Sequence, residues 1–372
     1  MEHGWISVGE GVMDRDSVIG LVGAGTMGAA IAQGAAMSGF AVVLNDRDPA
    51  VVDRAMAQIK ASLGRSVDRG KLSSAEAEAA FTRLTPSSDL ADMAPAALVI
   101  EAIIENFDAK SGLFRTLSGI LAPDALMATN TSSLKVDDLA AAVTGPGRFL
   151  GLHYFFPAAI NPLLEIVRGA KTSEDTLVAA EFFARATGKQ AIRCKDAFGF
   201  AVNRYFVPYL NEAVRLLDEG VDPGAIDLAV TRGFGTSVGP FKLMDISKPV
   251  IALHACRTLA VMGRFYLPAA SLVTKGESGE SWNAALPADI PAAEAASIVE
   301  RLQGAVLTAV LEALDEGVAA PEDFDLGARI GLQWQWQPCA GARSLGRAAV
   351  ERMVARHFQG RALPRSLDGL FR

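Results

Sequence analysis

Two residues twelve positions apart, His153 and Glu165, carry side chains suited to acid–base chemistry. Each lies on a short apolar run that predicts a strand, over 149–154 and 163–167, and the two runs can meet across a strand–turn–strand connection. A carboxylate bonded to one imidazole nitrogen sets the tautomer and leaves the other nitrogen able to remove a proton from an alcohol. Spacing alone leaves a structural role for this pair equally open.

A glycine-rich stretch at 23–28 (GAGTMG) follows a predicted strand and opens a predicted helix. In that context a G-x-G-x-x-G pattern binds a dinucleotide, because the glycines allow a tight turn, the approach of a pyrophosphate to backbone N–H groups and close helix-to-strand packing. Asp46 ends the next predicted strand, where a carboxylate accepts hydrogen bonds from both ribose hydroxyls and repels a 2′-phosphate. NAD is therefore predicted over NADP, although the neighbouring Arg47 weakens that preference. The residues predicted to bind the cofactor here are Gly23, Gly25, Thr26, Met27, Gly28, Asp46 and Arg47.

Polar residues also follow two further predicted strands. Residues 130–133 (NTSS) come directly after a strand predicted at 125–129, where they either cap a helix or place Ser132 beside a substrate oxygen. Residues 101–106 (EAIIEN) continue from a predicted buried strand into the cleft, and Lys110 lies on the following helix. For the charged side chains of this second segment the sequence favours a solvent-exposed face.

Short apolar runs alternate with amphipathic stretches from residue 17 onward, a pattern typical of βαβ units around a parallel sheet. The predicted strands are 18–22, 41–45, 97–101, 125–129, 149–154, 163–167 and 190–193. The predicted helices between them are 26–39, 49–70, 108–121 and 173–187. Together they predict an α/β fold of the Rossmann type, with a doubly wound, mainly parallel sheet.

After residue 196 the sequence changes to long helical patterns, which predict an all-α region. The first helix there has apolar residues spaced by threes and fours, and Asn203 is the polar member of that stripe. A buried polar group needs partners, so Asn203 is either bonded within the helix packing or aimed into a cleft.

An internal repeat appears when residues 202–240 are aligned with 299–338. The segment DEGV recurs at 218–221 and 315–318, and Glu300 stands in the second copy where the first has Asn203. These ordered matches predict a duplicated helical domain whose second copy lacks the function of Asn203. The predicted domains are a loose tail at 1–16, an NAD-binding domain at 17–195 and two helical domains at 196–290 and 291–372, with a loop or linker over 268–291.

Charge and composition exclude several classes of protein. The 35 Lys and Arg against 42 Asp and Glu give a net charge of −7, and no long run of one sign supplies the basic face that nucleic acids require. No apolar run reaches the ~18 residues of a membrane span, and no His/Cys/Asp cluster has the spacing of a metal site. Three widely separated cysteines, Cys194, Cys256 and Cys339, fit reduced thiols in the cytoplasm.

Taken together, the motifs resemble the L-3-hydroxyacyl-CoA dehydrogenases from about residue 18 to 245. The segments that carry the resemblance are GAGTMGAAIAQ at 23–33, VVLND at 42–46, EAIIEN at 101–106, NTSSL at 130–134, GLHYF at 151–155, LLEIV at 163–167, CKDAFGFAVNR at 194–204 and VGPF at 238–241. Several separated motifs in the same order are far more specific than any one of them.

The resemblance implies an enzyme that oxidises the 3-hydroxyl of an acyl-CoA with NAD, as in fatty acid β-oxidation. It implies His153 as the general base and Glu165 as its orienting partner, with Ser132 and Asn203 holding the substrate oxygen and its geometry. It further implies that Glu105, Lys110 and Asn130 lie along the cofactor. In single-copy relatives the helical domain dimerises, so this chain is expected to be a monomer with an internal pseudo-dimer, or a homodimer.

Two alternatives stay open: the first because related two-domain dehydrogenases share the glycine loop and the His–Glu pair, and the second because of a departure from the family. The family's His-Phe-Phe-Asn-Pro reads His-Tyr-Phe-Phe-Pro here, so Phe156 stands where an Asn would bond cofactor or substrate. The first alternative is an NAD-dependent dehydrogenase of a small, CoA-free hydroxyacid. The second is a noncatalytic dinucleotide-binding protein whose pocket Phe156 closes.

Overall fold

The computed structural model describes residues 13–358 and 362–371. The chain divides into two compact units that meet in the sequence at Asp196 and Ala197. Residues 1–12 of the expected loose tail lie outside the described residues. Within 13–16, Met13 packs against the apolar core and the Arg15 guanidinium donates to the Ser38 carbonyl at 2.7 Å, whereas residues 14–16 are exposed, so the extent of the tail stays a prediction.

Eight strands form one sheet in the α/β unit, in the order β3-β2-β1-β4-β5-β6-β7-β8. Neighbouring strands pair in parallel except β6 and β7, which pair in antiparallel. The predicted α/β class with a mainly parallel sheet is confirmed. The strands are β1 Val18–Val22, β2 Ala41–Asn45, β3 Leu84–Ser87, β4 Ala96–Glu101, β5 Leu126–Thr129, β6 Phe149–Tyr154, β7 Leu163–Arg168 and β8 Gln190–Lys195.

Helices cover both faces of this sheet, which is why most of its strands read as continuous apolar runs. Strand β3 and the helix before it, Ser74–Thr82, were not predicted from the sequence. The edge strand β3 has the sequence LTPS with its two middle residues exposed, so it lacks the apolar pattern of the inner strands. The helices are α1 Thr26–Met37, α2 Pro49–Asp68, α3 Ser74–Thr82, α4 Phe107–Ser118, α5 Val136–Ala140 and α6 Glu174–Ala186.

The second unit is all-helical. Its helices are α7 Val202–Asp218, α8 Pro223–Val230, α9 Pro240–Ser247, α10 Pro249–Leu259, α11 Ala270–Ser278, α12 Ala292–Asp315, α13 Pro321–Leu326, α14 Pro338–Leu345, α15 Arg347–Phe358 and α16 Ser366–Leu370. The loop or linker expected over 268–291 is wrong in part, since α11 occupies its first half. Phe200 lies before α7 and has a φ of +48°.

The two sequence repeats have matching local structure in this unit. The Asp227 carboxylate accepts hydrogen bonds from the N–H groups of Phe241 and Lys242, at 2.8 and 3.0 Å. Asp325 does the same with Cys339 and Ala340, at 2.7 and 3.0 Å. In each copy a buried carboxylate thus holds the first turn of the helix that follows it. The division into two helical domains stays a prediction, since both copies lie in one compact unit.

Candidate active site

The carboxyl ends of the parallel strands meet at one edge of the sheet, and the strand order reverses between β1 and β4. Open α/β sheets place their ligands in the crevice at such a switch point. The glycine-rich loop follows β1, the segment 101–106 follows β4, and the segment 130–134 follows β5. The sheet therefore gathers the predicted motifs of the α/β unit at one edge.

Each glycine of the 23–28 loop meets a different constraint. Gly23 has a φ of +104°, and a Cβ there would lie 2.5 Å from the Ala102 carbonyl oxygen. A Cβ on Gly28 would lie 1.7 Å from the Gly23 carbonyl oxygen. A Cβ on Gly25 would meet nothing within 4 Å. Gly23 and Gly28 are thus required by the packing of the loop, whereas the face of Gly25 is open, as a cradle for a pyrophosphate must be.

The first turn of α1 presents backbone N–H groups that no side chain caps. Its N-cap is Gly25, and the first turn contains no acidic residue. Helix N-termini of this kind favour phosphate oxygens through these N–H groups and the helix dipole. Thr26 is exposed in this turn. The Met27 side chain packs against the core, so Met27 would contact a cofactor through its backbone.

Asp46 fixes the glycine loop from the end of β2. Its Oδ2 accepts a hydrogen bond from the Ala24 N–H at 3.0 Å, and its Oδ1 accepts one from the Asp48 N–H at 3.2 Å. The carboxylate is half-buried beside the loop, and Arg47 is exposed. A fixed negative charge at this place suits two ribose hydroxyls and opposes a phosphate, so the residues present fit NAD.

His153 and Glu165 face each other directly across the antiparallel pair of β6 and β7. The distance between His153 Nδ1 and Glu165 Oε2 is 2.6 Å, and the two residues are 6% and 0% exposed. Because the carboxylate can only accept, the ring donates from Nδ1, and the lone pair of the neutral imidazole lies on Nε2. The Phe155 ring lies 4.7 Å from the imidazole, centroid to centroid. The antiparallel strand thus brings together the pair that acid–base chemistry requires.

Asn130 links the end of β5 to the end of β6. Its side-chain oxygen accepts a hydrogen bond from the Tyr154 N–H at 3.0 Å, one residue after His153. The structure therefore uses this oxygen to hold the strand that carries the histidine. A contact between Asn130 and the cofactor stays a prediction.

Glu105 organises the segment that carries Ser132. Its Oε1 accepts hydrogen bonds from the Thr131 hydroxyl at 2.5 Å and from the Ser132 and Ser133 N–H groups at 3.0 and 3.1 Å. The Ser133 hydroxyl donates to the same atom at 2.8 Å. Helix α5 begins only after Lys135 and has no side-chain cap, so the helix-cap interpretation of NTSS is wrong. The side chain of Ser132 itself is exposed.

The solvent-exposed face expected for this region is wrong for Glu101 and Lys110, which are 0% and 1% exposed. Lys110 Nζ lies 2.5 Å from Glu101 Oε1 and 3.2 Å from Glu105 Oε2. Two buried ions are stable together because their charges compensate each other. Burial raises the pKa of Glu105, but the Lys110 charge and the hydrogen bonds from Thr131 and Ser133 outweigh burial and lower that pKa.

Two residues important for the geometry were missed by the sequence analysis. The sequence contains a signal for Glu101, because a carboxylate that ends a buried apolar strand needs a partner. The sequence contains no such signal for Lys189. Its Nζ donates to the carbonyls of Ala158 and Asn161, at 2.6 and 2.7 Å, and so holds the loop between β6 and β7. Burial lowers the pKa of Lys189.

Two other residues were singled out from the sequence. Asn203 lies half-buried in the first turn of α7, in the helical unit, and its role toward substrate stays a prediction. Phe156 is 65% exposed, so it does not fill a pocket of the α/β unit. Among the described residues, no three His, Cys, Asp or Glu side chains are grouped to hold a metal ion. No described helix has both the length and the apolarity to cross a bilayer.

The fold and the site together define a dinucleotide-dependent oxidoreductase with a His–Glu pair. The family model for the 3-hydroxyacyl-CoA dehydrogenase NAD-binding domain matches residues 18–197, and the model for the family's C-terminal domain matches 199–279. The chain therefore belongs to the 3-hydroxyacyl-CoA dehydrogenase family.

Named relatives agree with this assignment. A probable 3-hydroxybutyryl-CoA dehydrogenase of Deinococcus radiodurans is 40% identical over 244 residues, which are 65% of this chain and 85% of that protein. A 3-hydroxyadipyl-CoA dehydrogenase of Escherichia coli K12 is 40% identical over 63% of this chain and 50% of its own length. A crystal structure of 3-hydroxybutyryl-CoA dehydrogenase from Escherichia coli K12 has a TM-score of 0.88 and 25% identity, covering 96% of this chain and 98% of that one.

Proposed function

We propose that this protein catalyses the reversible, NAD-dependent oxidation of an L-3-hydroxyacyl-CoA to the 3-ketoacyl-CoA. The observation that carries the proposal is the buried His153–Glu165 pair, 2.6 Å apart, at the end of β6. The glycine loop and Asp46 supply the dinucleotide half of the site on the same sheet. The names of the relatives, 3-hydroxybutyryl-CoA and 3-hydroxyadipyl-CoA dehydrogenases, support short-chain acyl groups as first candidates.

The glycine loop and Asp46 would hold NAD, which would supply the acceptor for the hydride that leaves C3 of the substrate. His153 removes the hydroxyl proton through Nε2, and Glu165 holds the ring in that tautomer and compensates the positive charge that forms on it. The Ser132 hydroxyl donates to the substrate oxygen as negative charge develops there. We assign Asn203 to the same substrate geometry. Reduction of the ketone uses the same groups in reverse.

The proposal is tested by mixing the purified protein with NADH and acetoacetyl-CoA, a longer 3-ketoacyl-CoA, or acetoacetate without CoA. Rapid loss of the NADH absorbance band with a CoA ester, but not with free acetoacetate, supports the proposal. Turnover of free acetoacetate alone favours the CoA-free hydroxyacid dehydrogenase. NADH binding without any turnover favours the noncatalytic binding protein. Replacing NADH by NADPH should slow turnover, because Asp46 opposes the 2′-phosphate.

We also infer that the two helical copies pack on each other in place of a partner subunit. Arg204 of the first copy pairs with Glu316 of the second, and Arg301 of the second pairs with Glu219 of the first. Arg204 corresponds to Arg301 in the repeat, and Glu219 to Glu316, so the contacts are reciprocal, as in the interface of a two-fold dimer. Sedimentation should show a monomer, and a dimer built through residues 196–290 would contradict the inference.

A cytoplasmic location is part of the same proposal. Cys256 and Cys339 are free thiols and buried in the structure. Free thiols are the rule in the reducing cytoplasm and uncommon in secreted proteins.

A further inference from the structure

Two acidic residues and one lysine form a continuous chain of contacts from the end of β4 to the backbone of Ser132. Glu101 Oε1 accepts from Lys110 Nζ at 2.5 Å and from the Ile103 N–H at 2.7 Å. Glu101 Oε2 accepts from the Thr129 hydroxyl at 2.8 Å, at the end of the neighbouring strand. Both oxygens of this buried carboxylate are therefore engaged by groups that border the site.

Lys110 connects this carboxylate to a second one. Its ammonium lies between Glu101 Oε1 and Glu105 Oε2, and it is almost fully buried on α4. A buried ammonium must keep its compensating charges, so the side chain has little freedom to turn toward another partner. Lys110 thereby holds Glu105 at a fixed distance from the end of β4.

Glu105 then holds the segment that carries Ser132. Four donors from three consecutive residues, Thr131, Ser132 and Ser133, converge on the single atom Oε1. Hydrogen bonds to an ionised acceptor are about twice as strong as neutral ones, so this carboxylate is the main tether of the 131–133 backbone. Ser132 is exposed, and its N–H is held by this carboxylate.

We infer that Glu101, Lys110 and Glu105 are positioning residues that act on the reaction through Ser132. This inference rests on the proposed function, because it takes Ser132 as the group that meets the substrate oxygen. That Glu105 and Lys110 also lie along the cofactor, as the family resemblance implies, stays a prediction.

The test compares Glu105→Ala with Glu78→Ala, a matched substitution of an exposed glutamate on α3 that makes no polar side-chain contact among the described residues. Amide exchange at Ser132 and Ser133 should become at least tenfold faster in Glu105→Ala and stay unchanged in the control. The Kd for NADH is measured in the same variants, because the family resemblance places Glu105 along the cofactor. The kcat for a 3-ketoacyl-CoA should fall tenfold or more.

A double variant separates positioning through Ser132 from an independent role. In the Ser132→Ala background, Glu105→Ala should reduce kcat by less than threefold further, because the group that it positions is already absent. If the effects of Glu105→Ala and Ser132→Ala on kcat multiply in the double variant, the inference is overturned. A large rise in the NADH Kd of Glu105→Ala, with unchanged amide exchange at Ser132 and Ser133, would also overturn it. Glu105→Gln repeats the experiment if the alanine variant does not fold. If wild-type protein turns over no substrate, the proposed function fails, and the exchange measurement still tests the tether.

Discussion

His153 Nδ1 and Glu165 Oε2 lie 2.6 Å apart because the two residues are direct cross-strand partners on β6 and β7. Among the strands of the described residues, this is the one neighbouring pair that runs antiparallel. The antiparallel pairing places Glu165, in the middle of β7, directly opposite His153 near the end of β6. A parallel pairing would need a longer crossover connection than the twelve-residue spacing allows. The reversal of one strand therefore creates the acid–base pair.

Glu165→Gln should reduce kcat by about 100-fold with little change in the Kd for NADH. The amide has nearly the same shape, but its NH2 group can donate to Nδ1 and thereby place the ring proton on Nε2, where it blocks proton removal. Steady-state kinetics with a 3-ketoacyl-CoA and a fluorescence titration with NADH measure the two quantities. Glu78→Gln is the matched control, and equal kcat values for the two variants would contradict the assignment.

The glycine loop predicts opposite results for two similar substitutions. Gly28→Ala should lower the free energy of unfolding by about 1–3 kcal/mol, since its Cβ would collide with the Gly23 carbonyl oxygen. Gly25→Ala should leave stability nearly unchanged but weaken NADH binding, since its Cβ would enter the open face of the cradle. Urea unfolding and NADH titration of both variants check this. If both variants fold and both bind NADH as tightly as the wild type, the result would argue against a pyrophosphate at this loop.

Much of the fold and of the site followed from local patterns in the sequence. Strands β1, β2 and β6 were predicted with their observed bounds because each is a mainly apolar run between turn residues. The burial of Glu101 and Lys110 was not predictable in the same way. Their burial depends on a tertiary contact between a strand end and a helix, and exposure is the rule for charged residues without such a partner. The tether from Glu105 joins segments 26 to 28 residues apart and has no local signal.

The two reciprocal ion pairs of the helical unit should differ in their contribution to stability. Arg204 is almost fully buried and has Glu316 as its carboxylate partner, whereas Arg301 is bonded to both Glu219 and Glu212. Glu316→Gln should therefore cost about 1–3 kcal/mol, because it leaves a buried guanidinium without its counter-charge. Glu219→Gln should cost less than about 1 kcal/mol. Urea unfolding measures both, and the reverse order would contradict this account of the interface.

His357 on α15 should make the protein less stable in mild acid. Burial lowers the pKa of His357 from 6.5 to about 4, against the attraction of Glu212, and its ring packs 4.9 Å from that of Phe265. Between about pH 6.5 and 4 the unfolded chain thus binds more protons than the folded one, so the free energy of unfolding falls as the pH falls, by about 3 kcal/mol in total. The other charged neighbours, Arg215, Arg301 and Arg356, lower the pKa further.

Urea unfolding at several pH values between 7 and 4 measures this dependence. His357→Gln, which cannot be protonated, should flatten the curve relative to the wild type. His254→Gln is the control, because His254 is exposed on α10. A wild-type curve no steeper than that of His357→Gln would contradict the low pKa of the buried imidazole.

The most direct test of the proposed reaction is the rate of NADH oxidation with acetoacetyl-CoA in the wild type and in His153→Ala. The account predicts that kcat falls by about 10² to 10⁴, the usual contribution of a general acid–base group, while the Kd for NADH changes little. Turnover of His153→Ala at the wild-type rate would contradict the assignment of His153 as the group that moves the proton.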